Sequence, residues 1–91
     1  MMVRVRAFAR FAEIIGRDQE IEIAEGWTVG VLLNRLAALH PGLEEELYDE
    51  QGALRDHVIV MRNRRHIDTC GGLQTALCEG DEIAIFPPVA G

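Results

Sequence analysis

Hydrophobic and polar residues alternate at both ends of the chain, and this pattern predicts a β-strand at each end. Residues 2–8 read MVRVRAF and residues 82–88 read EIAIFPP. Successive side chains of a strand point to opposite faces, so every second residue is expected to face a core. The predicted core-facing side chains are Val3, Val5 and Ala7 on the first strand, and Ile83 and Ile85 on the last.

The segments after the first strand predict a short helix and a second strand. ARFAEIIG, residues 9–16, fits two helical turns that stop at Gly16, because glycine is favoured where helices end. QEIEIAEG, residues 19–26, alternates again with Ile21 and Ile23 inward. We expect this second strand to pair antiparallel with the first.

The longest helical pattern lies between Thr28 and His40. Thr28 is a good N-cap residue, and His40-Pro41-Gly42 ends the pattern. The aliphatic stripe at helical spacing consists of Val29, Leu32, Leu33, Leu36 and Leu39. We therefore predict a helix from about Val29 to Leu39 whose five-residue stripe packs on one face of a sheet.

The second half of the chain predicts smaller elements. Residues 42–56 indicate a short helix and a solvated loop. Residues 57–68 indicate two strands that meet near Asn63, and residues 71–82 indicate one helical turn before the last strand. The resulting order predicts an α+β fold, with one long helix on a mixed sheet of four to five strands. It matches the β-grasp (ubiquitin-like) arrangement, in which the first and last strands are parallel neighbours. Residues 1–91 are expected to form a single domain, because a second core does not fit.

Charge and hydropathy narrow the classes of partner. The net charge of −6 argues against nucleic acid, and the acidic stretch LEEELYDE, residues 43–50, favours a basic partner surface. Every run of apolar residues is much shorter than the length needed to cross a membrane, and the N-terminal residues lack the apolar segment of a signal peptide. These features predict a cytoplasmic protein without a membrane partner.

The side chains that commonly carry catalysis give no self-contained active site. Serine is absent, and the three histidines, His40, His57 and His66, have no partner at a recognised spacing. Cys70 and Cys78 are separated by seven residues, without a C-x-x-C motif. We predict no metal site, no bound cofactor and no disulfide, and expect both cysteines to be partly buried small apolar residues.

All nine basic residues are arginine. Codon usage or thermal adaptation is the favoured explanation for the missing lysine. The functional alternative is that a protein whose own carboxyl end becomes activated benefits from having no side-chain amine to attack it.

The end of the chain is the candidate functional segment. Pro87 and Pro88 lack N–H donors and fix φ, so they end sheet pairing and favour an extended path. We expect residues 87–91 to form a flexible tail that projects Val89, Ala90 and Gly91 from the domain. Ala90 and Gly91 suit a narrow channel, and Gly91 has no Cβ to hinder attack at its carbonyl group.

Two phenylalanines are expected beside this tail. Phe8 and Phe86 each fall on the polar face of their strand, and parallel neighbouring strands would bring both rings to the same end of the sheet. By strand parity we take them as the only large apolar groups of that region. They form a candidate docking patch, unless helix or loop atoms cover one of them.

Residues 80–91, GDEIAIFPPVAG, resemble the G-D-E-hydrophobic-A-hydrophobic-F-P-P-V-x-G-G ending of the MoaD/ThiS group of ubiquitin-like sulfur carriers. The opening VRVRAFARFAEIIG is also similar to that family's first strand and short helix. Within the group, the resemblance is greatest to the small subunit of molybdopterin synthase. The order of predicted elements agrees with that of the family over the whole length, but only the last dozen residues form a motif that is specific to the family.

The resemblance implies a carrier that is not an enzyme by itself. An E1-like enzyme would use ATP to adenylate the terminal carboxylate of Gly91, which would then become a thiocarboxylate. The tail, Phe86 to Ala90, would thread into the large subunit of molybdopterin synthase. Phe8 and Phe86 would bind both partners, together with Pro87, Pro88, Val89 and Ala90.

The family ends in Gly-Gly, whereas this sequence ends Ala90-Gly91. Three explanations stay open: a lost last residue, which we favour, a natural variant that uses one glycine, or a relative that no longer carries sulfur. Three other functions also stay open. They are sulfur donation to thiazole or transfer-RNA thiolation, attachment to lysines of other proteins as a modifier, and non-covalent binding. The segment 43–56, which thiazole carriers tend to lack, favours molybdopterin.

Overall fold

The computed structural model describes residues 1–87, and within them the chain forms a five-stranded sheet, three α-helices and two 3-10 turns. The strands are β1 (Met2–Ala7), β2 (Asp18–Glu22), β3 (Ile59–Arg62), β4 (Arg65–His66) and β5 (Glu82–Phe86). The helices are α1 (Arg10–Ile15), α2 (Val29–Leu39) and α3 (Leu43–Leu47), and the 3-10 turns are Ile67–Thr69 and Gly72–Gln74.

The first and last strands are parallel neighbours at the centre of the sheet, as predicted. The strand order is β2-β1-β5-β3-β4, with β1 antiparallel to β2 and β5 antiparallel to β3. Each side chain predicted to face the core from β1 and β5 is at most 3% exposed. The α+β class and the β-grasp arrangement are therefore confirmed.

Helix α2 crosses one face of this sheet. Its first turn is capped as predicted, because the Thr28 hydroxyl oxygen accepts a hydrogen bond from the Val31 N–H at 3.2 Å. Four members of the predicted stripe are buried, but Leu39 is 65% exposed. The prediction for Leu39 was wrong because it occupies the last helical position, beyond the edge of the core that the other four side chains cover.

Helices α1 and α3 close the end of the core beside α2. Phe11 of α1 and both leucines of α3, Leu43 and Leu47, are almost completely buried. Helix α1 ends at Gly16, which has a φ of 95° and donates its N–H to the carbonyl oxygen of Ala12. The predicted helical stop at Gly16 is therefore confirmed.

The two strands predicted to meet near Asn63 are β3 and β4. Asn63 and Arg64 connect them with φ angles of 51° and 70°. Two consecutive positive φ angles are typical of the tight turns whose twist matches that of the strands on either side.

The two cysteines differ in exposure. Cys70 is half-buried, as predicted, but Cys78 is exposed. The prediction for Cys78 was wrong because the preceding residue, Leu77, takes the inward position at 4% exposure, which leaves the next side chain facing solvent. Both thiols are free.

Candidate functional site at the root of the tail

Phe8 and Phe86 lie beside each other where β5 ends. Strand β1 stops at Ala7, but the Phe8 N–H still donates to the carbonyl oxygen of Ile85 at 3.1 Å and so continues the parallel pairing. The two rings stack with their centroids 4.4 Å apart and their planes 6° from parallel. Both side chains are half-exposed. The predicted position and partial exposure of the two rings are therefore observed.

Strand β3 adds apolar side chains to the same face. Ile59 pairs with Phe86, and Met61 pairs with Ala84. Directly opposed residues of antiparallel strands project to the same side, so Ile59 and Met61 extend the surface next to the rings. Both are partly exposed. We call Phe8, Phe86, Ile59, Met61 and Ala84 the apolar patch.

The patch corrects the expectation that the two rings are the only large apolar groups in this region. The sequence contained a signal for the others, because Ile59 and Met61 alternate with the buried Val60. That signal becomes useful only when the pairing of β3 with β5 is known, since local alternation does not say which strand is the neighbour.

Ion pairs border the patch on the β1 side. The Arg6 guanidinium carbon lies 5.7 Å from the centroid of the Phe8 ring, and its Nη1 is 3.9 Å from Glu82 Oε2. Further along β1, Arg4 contacts Asp18 at 2.9 Å and Glu20 at 3.1 Å. The apolar surface therefore ends at a charged rim, as is common in protein interfaces.

The start of β5 is fixed by a hydrogen-bond network around Asp81, which is only 5% exposed. Its carboxylate accepts hydrogen bonds from Arg62 Nε at 2.9 Å, from Asn63 Nδ2 at 2.9 Å and from the backbone N–H of Cys78 at 2.7 Å. Asn63 Oδ1 in turn accepts from the Glu82 N–H at 2.9 Å. The network joins the β3–β4 turn to β5 and so holds the strand that carries the tail.

These contacts set the protonation of Asp81. Burial alone raises the pKa of the carboxyl group, but the hydrogen bonds from Asn63, Cys78 and Arg62, together with the positive charge of Arg62, outweigh it and lower the pKa. Asp81 is therefore a carboxylate at neutral pH, which is the form that accepts all three hydrogen bonds.

Of the predicted tail, the structure describes Pro87, which is half-buried directly after Phe86. The predictions for Pro88, Val89, Ala90 and Gly91 concern residues outside the described part of the chain. Their roles as threading segment and activated residue stay predictions, as does the flexible tail.

Within residues 1–87, the other side chains that could take part in catalysis or metal binding lie apart from one another. No group of three His, Cys, Asp or Glu side chains in this range is placed to hold a metal ion. The ring nitrogen Nδ1 of His66 accepts the Asp68 N–H at 3.2 Å, as in a capped 3-10 turn. No helix in the same range combines the length and apolarity needed to cross a bilayer.

The acidic stretch surrounds a groove beside α3. Glu44, Glu45, Asp49 and Glu50 are exposed there. The hydroxyl group of Tyr48 donates to Asn34 Oδ1 at 2.8 Å, and burial, followed by the nearby charge of Glu44, raises the pKa of Tyr48. The groove is negatively charged, in line with the predicted preference for a basic partner.

The strand order and the helix that crosses the sheet define a β-grasp, ubiquitin-like domain. The model of the ThiS family matches residues 5–91. The chain belongs to the ThiS/MoaD family of ubiquitin-like sulfur carriers.

Named relatives within this family differ in their roles. The chain is 38% identical to small archaeal modifier protein 3 of Haloferax volcanii over 92 aligned residues, which cover 100% of this chain and 99% of that protein. It is 37% identical to the sulfur carrier protein CysO of Mycobacterium tuberculosis over 75% of each chain. It is 30% identical to the human molybdopterin synthase sulfur carrier subunit, with 98% of this chain and 92% of that protein covered.

Solved structures agree with the fold. The crystal structure of SAMP1 from Haloferax volcanii superposes with a TM-score of 0.86 at 36% identity, covering 100% of this chain and 99% of that one. CysO in the Amycolatopsis orientalis BexX/CysO complex gives a TM-score of 0.78 at 28% identity and 98% coverage of both chains. The latter was crystallised together with a partner protein, BexX.

Proposed function

We propose that this protein carries sulfur on its C-terminal glycine and serves as a substrate and subunit rather than as an enzyme. In this proposal an E1-like enzyme activates Gly91 with ATP, and the carboxylate becomes an acyl-adenylate with release of pyrophosphate. A sulfur donor then replaces AMP at the carbonyl carbon and leaves a thiocarboxylate. Activation is needed because a carboxylate is a poor electrophile, whereas an acyl-adenylate is a good one.

The apolar patch is the observation that carries this proposal. A tail that is modified by one protein and used by another requires a docking surface next to its root. Phe8 and Phe86 lie at that root with exposed surface, and Ile59 and Met61 enlarge the apolar area around them. Aromatic side chains surrounded by a polar rim are typical of residues that dominate binding energy.

Within the carriers, we propose the role of small subunit of molybdopterin synthase. The tail would enter the active site of the large subunit and deliver sulfur there. Two features support this choice: the GDEIAIFPPV sequence of residues 80–89 and the inserted segment 43–56, which contains α3. Sulfur donation to thiazole or transfer-RNA thiolation is the alternative among carriers.

Mass spectrometry tests the carrier chemistry. The protein is incubated with the E1-like enzyme of the same organism, ATP and a sulfide source. We expect the mass to rise by the difference between one sulfur and one oxygen atom, and fragmentation to locate the change at the last residue. A chain with its natural C-terminus that keeps its mass under conditions in which the enzyme consumes ATP would refute the carrier proposal.

A protein modifier is the second candidate, and the identity to small archaeal modifier protein 3 favours it. In this case Gly91 would form an amide bond with lysines of other proteins. Tagged protein recovered from its own cells should then show adducts of higher mass that survive thiol treatment. Deletion of Gly91 should abolish both the adducts and the thiocarboxylate, whereas a purely non-covalent binding module would keep its function.

A further inference from the structure

The chemistry of the basic side chains bears on the fate of an activated carboxyl end. The chain has nine basic residues and all are arginine. A lysine amine can lose its proton and attack an acyl group, but a guanidinium group stays protonated and has no free electron pair for that attack. The two residues therefore provide similar charge but very different reactivity.

Arg6 lies beside the point where the described part of the chain leads into the tail. Its guanidinium group lies over the Phe8 ring at 5.7 Å, and that ring stacks on Phe86, from which the tail continues. Gly91 follows Phe86 by five residues, and five residues reach at most about 17 Å when fully extended. An amine at the position of Arg6 would thus lie within reach of the activated carbonyl group of its own chain.

The α-amino group of Met1 lies at the other end of β1. It donates a hydrogen bond to the carbonyl oxygen of Ile23 at 3.1 Å. Phe8 follows Met1 by seven positions, which corresponds to about 23 Å along a strand. This distance exceeds the reach of the tail, so the geometry keeps this amine from the carbonyl group as well.

We propose that Arg6 is a non-nucleophilic cation that prevents the activated tail from being captured by its own domain. The chain would then act only as an acyl donor. In the reaction that is avoided, an amine nitrogen forms an amide bond with the Gly91 carbonyl carbon, the bond to AMP breaks, and the amine proton is released. The inference rests on the proposed activation of Gly91.

The test uses a C-terminal thioester prepared chemically from an intein fusion of the whole chain, so it requires no activating enzyme. Failure of enzymatic activation would therefore count against the proposed function and leave this test unaffected. The variants are Arg6→Lys and the matched control Arg35→Lys. Arg35 also lies over an aromatic ring, 5.4 Å from the centroid of Trp27, but on α2 at the opposite face of the sheet.

We expect the wild-type thioester to hydrolyse slowly or to react with an added small primary amine. The Arg6→Lys thioester should close on itself and give a monomer that is one water molecule lighter than the free acid, with the cross-link at position 6. An effective concentration on the order of 1 mM makes this closure roughly 100-fold faster than capture between chains at about 10 μM. Arg35→Lys should show only the slower reaction between chains.

Three results would overturn the proposal. They are self-acylation of the wild type as fast as that of Arg6→Lys, equal rates for the two lysine variants, and survival of the Arg6→Lys thioester while the added amine reacts normally. Circular dichroism of the corresponding acids verifies that both variants are folded. Equal rates would leave codon usage or thermal adaptation as the explanation for the arginines.

Discussion

Replacement of Phe86 by alanine tests the proposed docking role separately from folding, because the ring is half-exposed and yet stacked on Phe8. We expect Phe86→Ala to remove an aromatic anchor from the apolar patch while the β-grasp core stays intact. The neighbouring residue Ile85 projects to the opposite face and is completely buried. Ile85→Ala is therefore the matched control in the same strand.

The stacking geometry sets the size of the folding effect. An aromatic pair of this kind contributes about 0.5–1.5 kcal/mol beyond its buried area. With the partial burial of the ring included, Phe86→Ala should reduce the free energy of unfolding by about 1–2 kcal/mol, a fall in Tm of roughly 5–15 °C for a domain of this size. Ile85→Ala should cost about 2–5 kcal/mol, because it leaves a cavity in the core.

The binding effect should follow the opposite order. If Phe86 is a hot spot, its loss should weaken binding to the E1-like enzyme by about 1–4 kcal/mol, or roughly 5-fold to several hundred-fold in Kd. Ile85→Ala should leave the Kd of the folded fraction close to that of the wild type.

The assay combines thermal unfolding of each variant with calorimetric titration of the E1-like enzyme at a temperature where the variants are folded. The same titration with the molybdopterin synthase large subunit tests the second proposed partner. Suppose that Phe86→Ala melts as early as Ile85→Ala and its folded fraction binds both partners normally. Phe86 would then be a core residue, and the docking role of the patch would be wrong.

Three further predictions concern the scaffold. A Cβ on Gly30 would lie 3.1 Å from the Leu73 carbonyl oxygen, so Gly30→Ala should lower the free energy of unfolding in denaturant titrations in spite of the better helix propensity of alanine; an increase would show that the contact relaxes freely. Ala9 has a φ of 52° and a ψ of −124°, so Ala9→Gly should raise the free energy of unfolding by about 1 kcal/mol, and an unchanged value would argue against strain at this residue. The lowered pKa of Asp81 stabilises the folded state above the ordinary pKa of 3.8, and this contribution is lost as the pH falls through the folded-state value. The stability difference between wild type and Asp81→Asn should therefore be largest near neutral pH and shrink below about pH 4, and a constant difference would contradict the assigned charge state.

Patterns within single elements gave reliable predictions of the fold. The alternation in β1 and β5 identified the buried residues, because a residue's place on one face of a strand depends only on its neighbours in sequence. The bounds of α2 were predicted from Thr28 at the start and from the His40-Pro41-Gly42 sequence at the end. Leu39 was misassigned because helical spacing describes a stripe without saying where the core beneath it ends.

The candidate site was predicted only in part, because it depends on contacts between distant segments. Phe8 and Phe86 were found because the predicted β-grasp arrangement supplied the parallel pairing of their strands. Ile59 and Met61 were missed because their pairing with β5 joins residues more than 20 positions apart in the sequence, and the sequence of β3 does not specify that register. The Asp81 network was missed for the same reason, since Arg62 and Asn63 reach it from the other hairpin.

The arrangement of these missed contacts bears on the proposed docking of partner proteins beside the end of β5. The Asp81 network holds β5 at its start, and the stacked rings of Phe8 and Phe86 hold it at its end. The residues between them, Ile83, Ala84 and Ile85, pair with β1 on one side and with β3 on the other. Preorganisation of this kind reduces the ordering cost on binding, so a partner that docked on the patch as proposed would find Phe86 in a fixed position. The same argument predicts that substitutions at the two ends of β5 affect binding to a partner more than substitutions of its buried central residues do, because each end is held by a contact with another segment of the chain.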